Sequence, residues 1–68
     1  MNINKFIKNK REERGLSVKE LADIANFSFK TIYLWESGEK NITYKSLVQL
    51  LDALGLEIQI VEKSQIRR

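Results

Sequence analysis

Apolar residues recur three and four positions apart along most of the chain and alternate with polar ones near its end. Ile3, Phe6 and Ile7 make the stripe of a first helix, read from Met1 to Arg14. Leu21, Ala22 and Ala25 make that of a second, opening at Ser17, where two alanines let another helix come close. Ile32 and Trp35, three apart, face inward from a third helix that opens at Ser28. Leu47, Leu50, Leu51 and Leu54 line a fourth, opening at Thr43. From Leu56 to Glu62 the period drops to two, the pattern of a strand.

The boundaries carry their own signals. Ser17 and Glu20 stand at capping-box spacing, the hydroxyl accepting from the Glu20 amide while the carboxylate reaches back. Leu16 with Leu21, Phe27 with Ile32, and Ile42 with Leu47 are spaced as hydrophobic staples. Asn26 falls between helices two and three, where a residue tolerant of positive φ is wanted. Gly15, Gly38 and Gly55 each follow a helix, and Leu16 and Leu56 supply the apolar residue that folds back after such an end. Residues 39–42 read as a loop.

The expected fold is therefore all-α with one short C-terminal β-strand. A lone strand cannot satisfy its backbone hydrogen bonds, and an apolar edge invites pairing. The economical partner is the same strand of a second copy, antiparallel across a two-fold axis. That makes Leu56, Ile58, Ile60 and Val61 the expected dimer interface. The organisation that follows is residues 1–55 as the helical domain, 56–63 as the dimerisation strand and 64–68, SQIRR, as a basic tail.

Length and composition bound the rest. Sixty-eight residues are expected to form one domain, and a chain this short buries only about 60% of its unfolded surface. With no cysteine, neither a disulfide nor a thiolate metal site staples it, so stability must come from helix packing or a partner subunit. No apolar run approaches the roughly 20 residues of a membrane span, and the N-terminus lacks a signal peptide's apolar core. A soluble, cytoplasmic protein is expected. There is no histidine, the carboxylates are scattered, and no spacing matches a metal site or a phosphate-binding glycine loop. Neither catalysis nor a cofactor is expected.

The net charge of +3 is modest, and the placement of the basic residues says more. Ser17-Val18-Lys19, Ser28-Phe29-Lys30 and Thr43-Tyr44-Lys45 each put a hydroxyl at the cap and a lysine at the second helical position. A lysine there opposes the helix dipole, at about 0.3–1 kcal/mol each. Three repeats of that breach suggest an external anion at those ends, with phosphate the natural one; the alternative is three ordinary solvated lysines. Ser17, Lys19, Ser28, Thr43 and Lys45 are the candidate phosphate contacts.

Helices two and three, joined by a tight turn, read as a helix-turn-helix that inserts its second helix into the major groove of DNA. Phe29, Lys30, Tyr33 and Leu34 then face outward. On a duplex, Phe29 and Leu34 suit thymine methyls, Tyr33 a phosphate or base, and Lys30 guanine O6 and N7. The alternative for Phe29 is that it folds back onto the core. Ile24 also faces away from the contact between helices two and three.

The run RGLSVKELADIA, then TIYLWESG, then ALGLEI resembles the Cro/C1-type (Xre) helix-turn-helix family of bacterial and phage repressors over residues 3 to 56. The resemblance implies a compact lambda-repressor-like bundle of four or five helices whose third enters the major groove. It implies an ion pair between Arg11 and Glu36, base reading at Phe29, Lys30, Tyr33 and Leu34, and phosphate contacts near Ser17, Val18, Lys40, Asn41 and Thr43. Two positions depart from the family. Val18 stands where a glutamine usually contacts the backbone, leaving that role to Lys19, and Asn41-Ile42 replaces the usual Asn-Pro. A strand directly after such a domain resembles the HipB-type antitoxins, which repress their own operon and bind a HipA-like kinase toxin.

The expected function is a homodimeric, nucleoid-associated repressor of a palindromic double-stranded DNA operator, of the antitoxin kind. The alternatives are a phage repressor or restriction-modification controller protein, and a protein-interaction module without DNA binding.

Overall fold

The computed structural model describes residues 2–63. They form four helices: α1 (Ile3–Glu13), α2 (Val18–Ala25), α3 (Phe29–Ser37) and α4 (Tyr44–Ala53). Each opens on a side chain that accepts from the first turn. Asn2 takes the amide of Lys5 at 3.1 Å, Ser28 that of Thr31 at 3.1 Å and Thr43 that of Ser46 at 3.2 Å. Ser17 and Glu20 close a full capping box at 3.0 and 2.8 Å. Asn26 ends α2 in the left-handed region with φ 65°, and the Phe27 amide then donates back to the Ala22 carbonyl at 3.0 Å. That single residue turns the chain from α2 into α3.

The core is one cluster drawn from all four helices: Ile7, Leu21, Ala22, Ala25, Ile32, Trp35, Leu50, Leu51 and Leu54. Ile7, Leu21, Ile32 and Leu50 are wholly enclosed, each worth about 1.5–3 kcal/mol relative to exposure. The alanines of α2 leave room for α3 on one side and α4 on the other. Phe27 meets Trp35 edge to face, with ring centroids 4.9 Å apart. Leu47 and the staple residues Leu16, Phe27 and Ile42 are partly buried around this cluster.

Three polar side chains tie the helices together. Arg11 of α1 grips Glu36 near the end of α3 through two parallel bonds, Nε to Oε2 at 2.7 Å and Nη2 to Oε1 at 2.9 Å. Its Nη1 also donates to the Leu16 carbonyl at 2.8 Å, pinning the loop into α2. Asn4 donates its amide to the Trp35 carbonyl. Gln49 of α4 donates to the Ala25 carbonyl at 2.8 Å, satisfying one of the acceptors left open at the end of α2.

The C-terminal segment departs from the expected strand. Residues 56–62 adopt no strand among the described residues. Gly55, at φ 76°, turns the chain so that the Leu56 amide donates to the Leu51 carbonyl at 2.8 Å. Leu56 and Ile58 then fold back as partly buried cover for the chain's own core. A strand is defined by a paired neighbour, and this segment meets helix instead. The proposed face is therefore split: Leu56 and Ile58 lie inward, while Ile60 and Val61 stand 83% and 59% exposed. The tail at 64–68 lies outside the described residues. No described helix is long and apolar enough to cross a membrane.

Candidate nucleic-acid interface

Helix α3 is anchored from one side by Ile32 and Trp35. Its opposite side carries Phe29 and Tyr33, 55% and 53% exposed, with exposed Lys30 between them in sequence. Phe29 thus projects into solvent and does not close over the core. Leu34 is half-buried, so it edges the outward face and does not form its centre. Exposed Ser37, four positions after Tyr33 and two turns after Lys30, joins the same face, a position the sequence reading passed over. Lys8 of α1 also comes alongside, sharing a shallow cleft with Tyr33, Glu36 and Ser37. The only sign of it in the sequence was the basic flank of helix one.

The seven expected phosphate contacts, Ser17, Lys19, Ser28, Lys40, Asn41, Thr43 and Lys45, are all exposed. The cap hydroxyls already accept from their own helices. The Ser28 hydroxyl also lies 2.6 Å from that of Thr31. What remains open are the first two amides of each helix: Val18 and Lys19, Phe29 and Lys30, Tyr44 and Lys45 have no partner among the described residues. These N–H groups, with a lysine beside each pair, are donors of the kind that hold phosphate oxygens.

The three ends are not equivalent. Helix α2 carries Glu20 in its first turn, and the carboxylate occupies the Ser17 amide. Helices α3 and α4 have no acidic residue there. Val18 is half-buried against the core, whereas Lys19 is exposed.

Behind this face lies the Arg11–Glu36 pair, with side chains only 10% and 7% exposed. The hydrogen bonds that Arg11 donates to Glu36 push the guanidinium pKa up, against an opposing effect of burial. Arg11 therefore stays charged and holds the far end of α3 in one orientation. Among the described residues no cluster of acidic, histidine or cysteine side chains is arranged to hold a metal ion.

Residues 7–61 match the family model described as helix-turn-helix. The chain is 38% identical over 56 residues to a protein of Methanothermobacter thermautotrophicus, an alignment that takes in 82% of this chain and 18% of the relative. Proteins of Saccharolobus solfataricus and Saccharolobus islandicus are 34% identical over 55 residues, or 81% of this chain and 18% of theirs. All three carry names that assign them provisionally to the HTH-type transcriptional regulatory proteins. The chain thus spans about a fifth of the length of these relatives.

Proposed function

The chain belongs to the helix-turn-helix family, which implies binding to DNA, and we propose that it is a sequence-specific, homodimeric transcriptional repressor. The observation that carries this reading is the two-sidedness of α3. Ile32 and Trp35 fix one side, and the other presents Phe29, Lys30 and Tyr33 to solvent. An aromatic surface on a short exposed helix is unfavourable unless something covers it. The open amides and lysines at the starts of α2, α3 and α4 supply sequence-independent grip on phosphates, and the outward face of α3, including the edge of Leu34, supplies base choice.

Residues 1–55 act as the DNA-binding unit and 56–63 as the means of pairing. Ile60 and Val61 are exposed, and Tyr44, Val48, Leu51, Leu56 and Ile58 line a cleft with Asp52 and Glu57 at its polar part; a second copy would cover this largely apolar surface. Two copies place their recognition helices in successive major grooves about 34 Å apart on a palindromic operator. The nearest subtype is a HipB-type antitoxin, acting on its own operon in the cytoplasm and holding a HipA-like kinase toxin. Its support is the short apolar segment that directly follows the helical domain.

Salt titration of duplex binding tests the reading. With about six phosphate contacts, affinity should fall roughly a thousandfold between about 50 and about 200 mM salt. The rival reading, a protein-docking module, draws on the aromatic face of α3 and on Val18 at the usual glutamine position. It requires no duplex binding, and its apolar contact would barely respond to salt.

A further inference from the structure

The chemistry available on α3 constrains what kind of operator it can read. The helix runs Phe-Lys-Thr-Ile-Tyr-Leu-Trp-Glu-Ser, without an arginine, asparagine or glutamine. With lysine, those are the side chains that make paired bonds to guanine or adenine edges in the major groove. Ile32 and Trp35 are enclosed, and Glu36 is committed to Arg11. Lys30 is left as a single flexible cationic donor. Ser37 turns its hydroxyl proton to the Leu34 carbonyl at 3.1 Å, and Thr31 shares a bond with Ser28. Beside Lys30 and the Tyr33 hydroxyl, the groups that remain free to discriminate are the exposed rings of Phe29 and Tyr33 and the edge of Leu34.

In the major groove one base feature is apolar, the C5-methyl group of thymine. Phe29 stands at the first position of α3, and the N-terminal residues of a recognition helix are those that meet base edges. Tyr33 follows one turn later, about 6 Å along the axis, so the two rings extend over neighbouring base pairs.

Resting on the operator-binding reading above, we infer that α3 selects its half-site chiefly by thymine methyl groups packed against Phe29 and its neighbours. The half-site is accordingly T-rich where α3 enters, and Lys30 adds a preference for one guanine. Base-edge hydrogen bonding plays the lesser part.

The full chain should first be used to select bound duplexes from a randomised pool at low salt. The winning duplex is then resynthesised with single thymine-to-uracil replacements, which remove the methyl and leave the pairing intact. Each uracil under α3 should weaken binding about fourfold, the equivalent of about 0.8 kcal/mol for one buried methyl. Replacing such a T·A pair by C·G should weaken it too, and 5-methylcytosine at that position should recover part of the loss. In Phe29→Ala the thymine-to-uracil ratio should fall toward one at the affected position, while Phe29→Leu should retain it. Both variants alter an exposed side chain, and Trp35 fluorescence reports that they are folded. A selected operator indifferent to uracil at every position overturns the inference while leaving operator binding intact. So does a uracil penalty unchanged in both Phe29→Ala and Tyr33→Ala. Failure to select any duplex overturns the operator-binding reading, and this one with it.

Discussion

Removing Glu36 should leave a charge stranded inside the protein. The Glu36→Ala chain loses both acceptors of the Arg11 fork, at 2.7 and 2.9 Å, and keeps only the bond to the Leu16 carbonyl at 2.8 Å. Because the two side chains are 10% and 7% exposed, water replaces little of what is lost. Breaking a buried pair from one side costs about 3–5 kcal/mol. A chain of this length has a total stability of about 3–10 kcal/mol, so between about a third of it and all of it is at stake. Urea titration followed by fluorescence of Trp35, the single tryptophan and a buried one, measures this directly. With a slope near 1 kcal/mol per molar urea, the midpoint should fall by about 3–5 M, or the chain should be unfolded without denaturant. The raised pKa of Arg11 adds a pH condition. A group whose pKa rises on folding contributes its full stabilisation below the unfolded value and loses it only as pH climbs through the folded one. For an arginine both lie in strong alkali, so the guanidinium's share should be constant from about pH 6 to about pH 9. A midpoint lowered by less than about 1 M in Glu36→Ala would refute the claim that the pair is desolvated.

Lys30→Ala should weaken operator binding and relax base preference, whereas Lys19→Ala should weaken all duplexes alike; gel-shift titration on matched and scrambled sequences separates the two. A shared loss of specificity would remove the division of labour between α3 and the helix starts. Ile60→Glu with Val61→Glu should give a folded monomer in sedimentation, since both residues are exposed in the single chain. A dimer unchanged by that pair would sink the assigned role of residues 56–63.

The parts of this fold that were legible in the sequence are those decided by neighbours in the chain. Cap hydroxyls, the Asn26 turn and the apolar spacing of all four helices are written within four or five residues of where they act. The end of the chain shows the limit. An alternating pattern says that Leu56 and Ile58 share a face, but not what lies against it, and here the nearest apolar surface is the chain's own core. Bonds between distant residues left no local trace. Asn4 reaches α3 across 31 positions and Gln49 reaches α2 across 24, and in sequence each is an ordinary polar residue on a helix. The Arg11–Glu36 pair was expected only because the chain resembles a family in which it recurs.

These long-range bonds explain how α3 can expose so much of itself and still hold one orientation. Two side chains, Ile32 and Trp35, seat it in the core, and a nine-residue helix fixed by two contacts on one side is free to roll about them. Asn4 on the Trp35 carbonyl and Arg11 on Glu36 stop that roll at the end away from the turn, while the left-handed Asn26 sets the other. A planar guanidinium bound through two parallel bonds admits one relative angle of α1 and α3; a pair of apolar side chains admits several. Replacing the pair together, as in Arg11→Met with Glu36→Leu, should therefore leave the urea midpoint unchanged or higher, because no charge is stranded. The same protein should discriminate its operator from scrambled DNA less well, since Phe29 and Tyr33 no longer arrive at fixed depth in the groove. Stability retained with specificity lost would place the value of this pair in geometry.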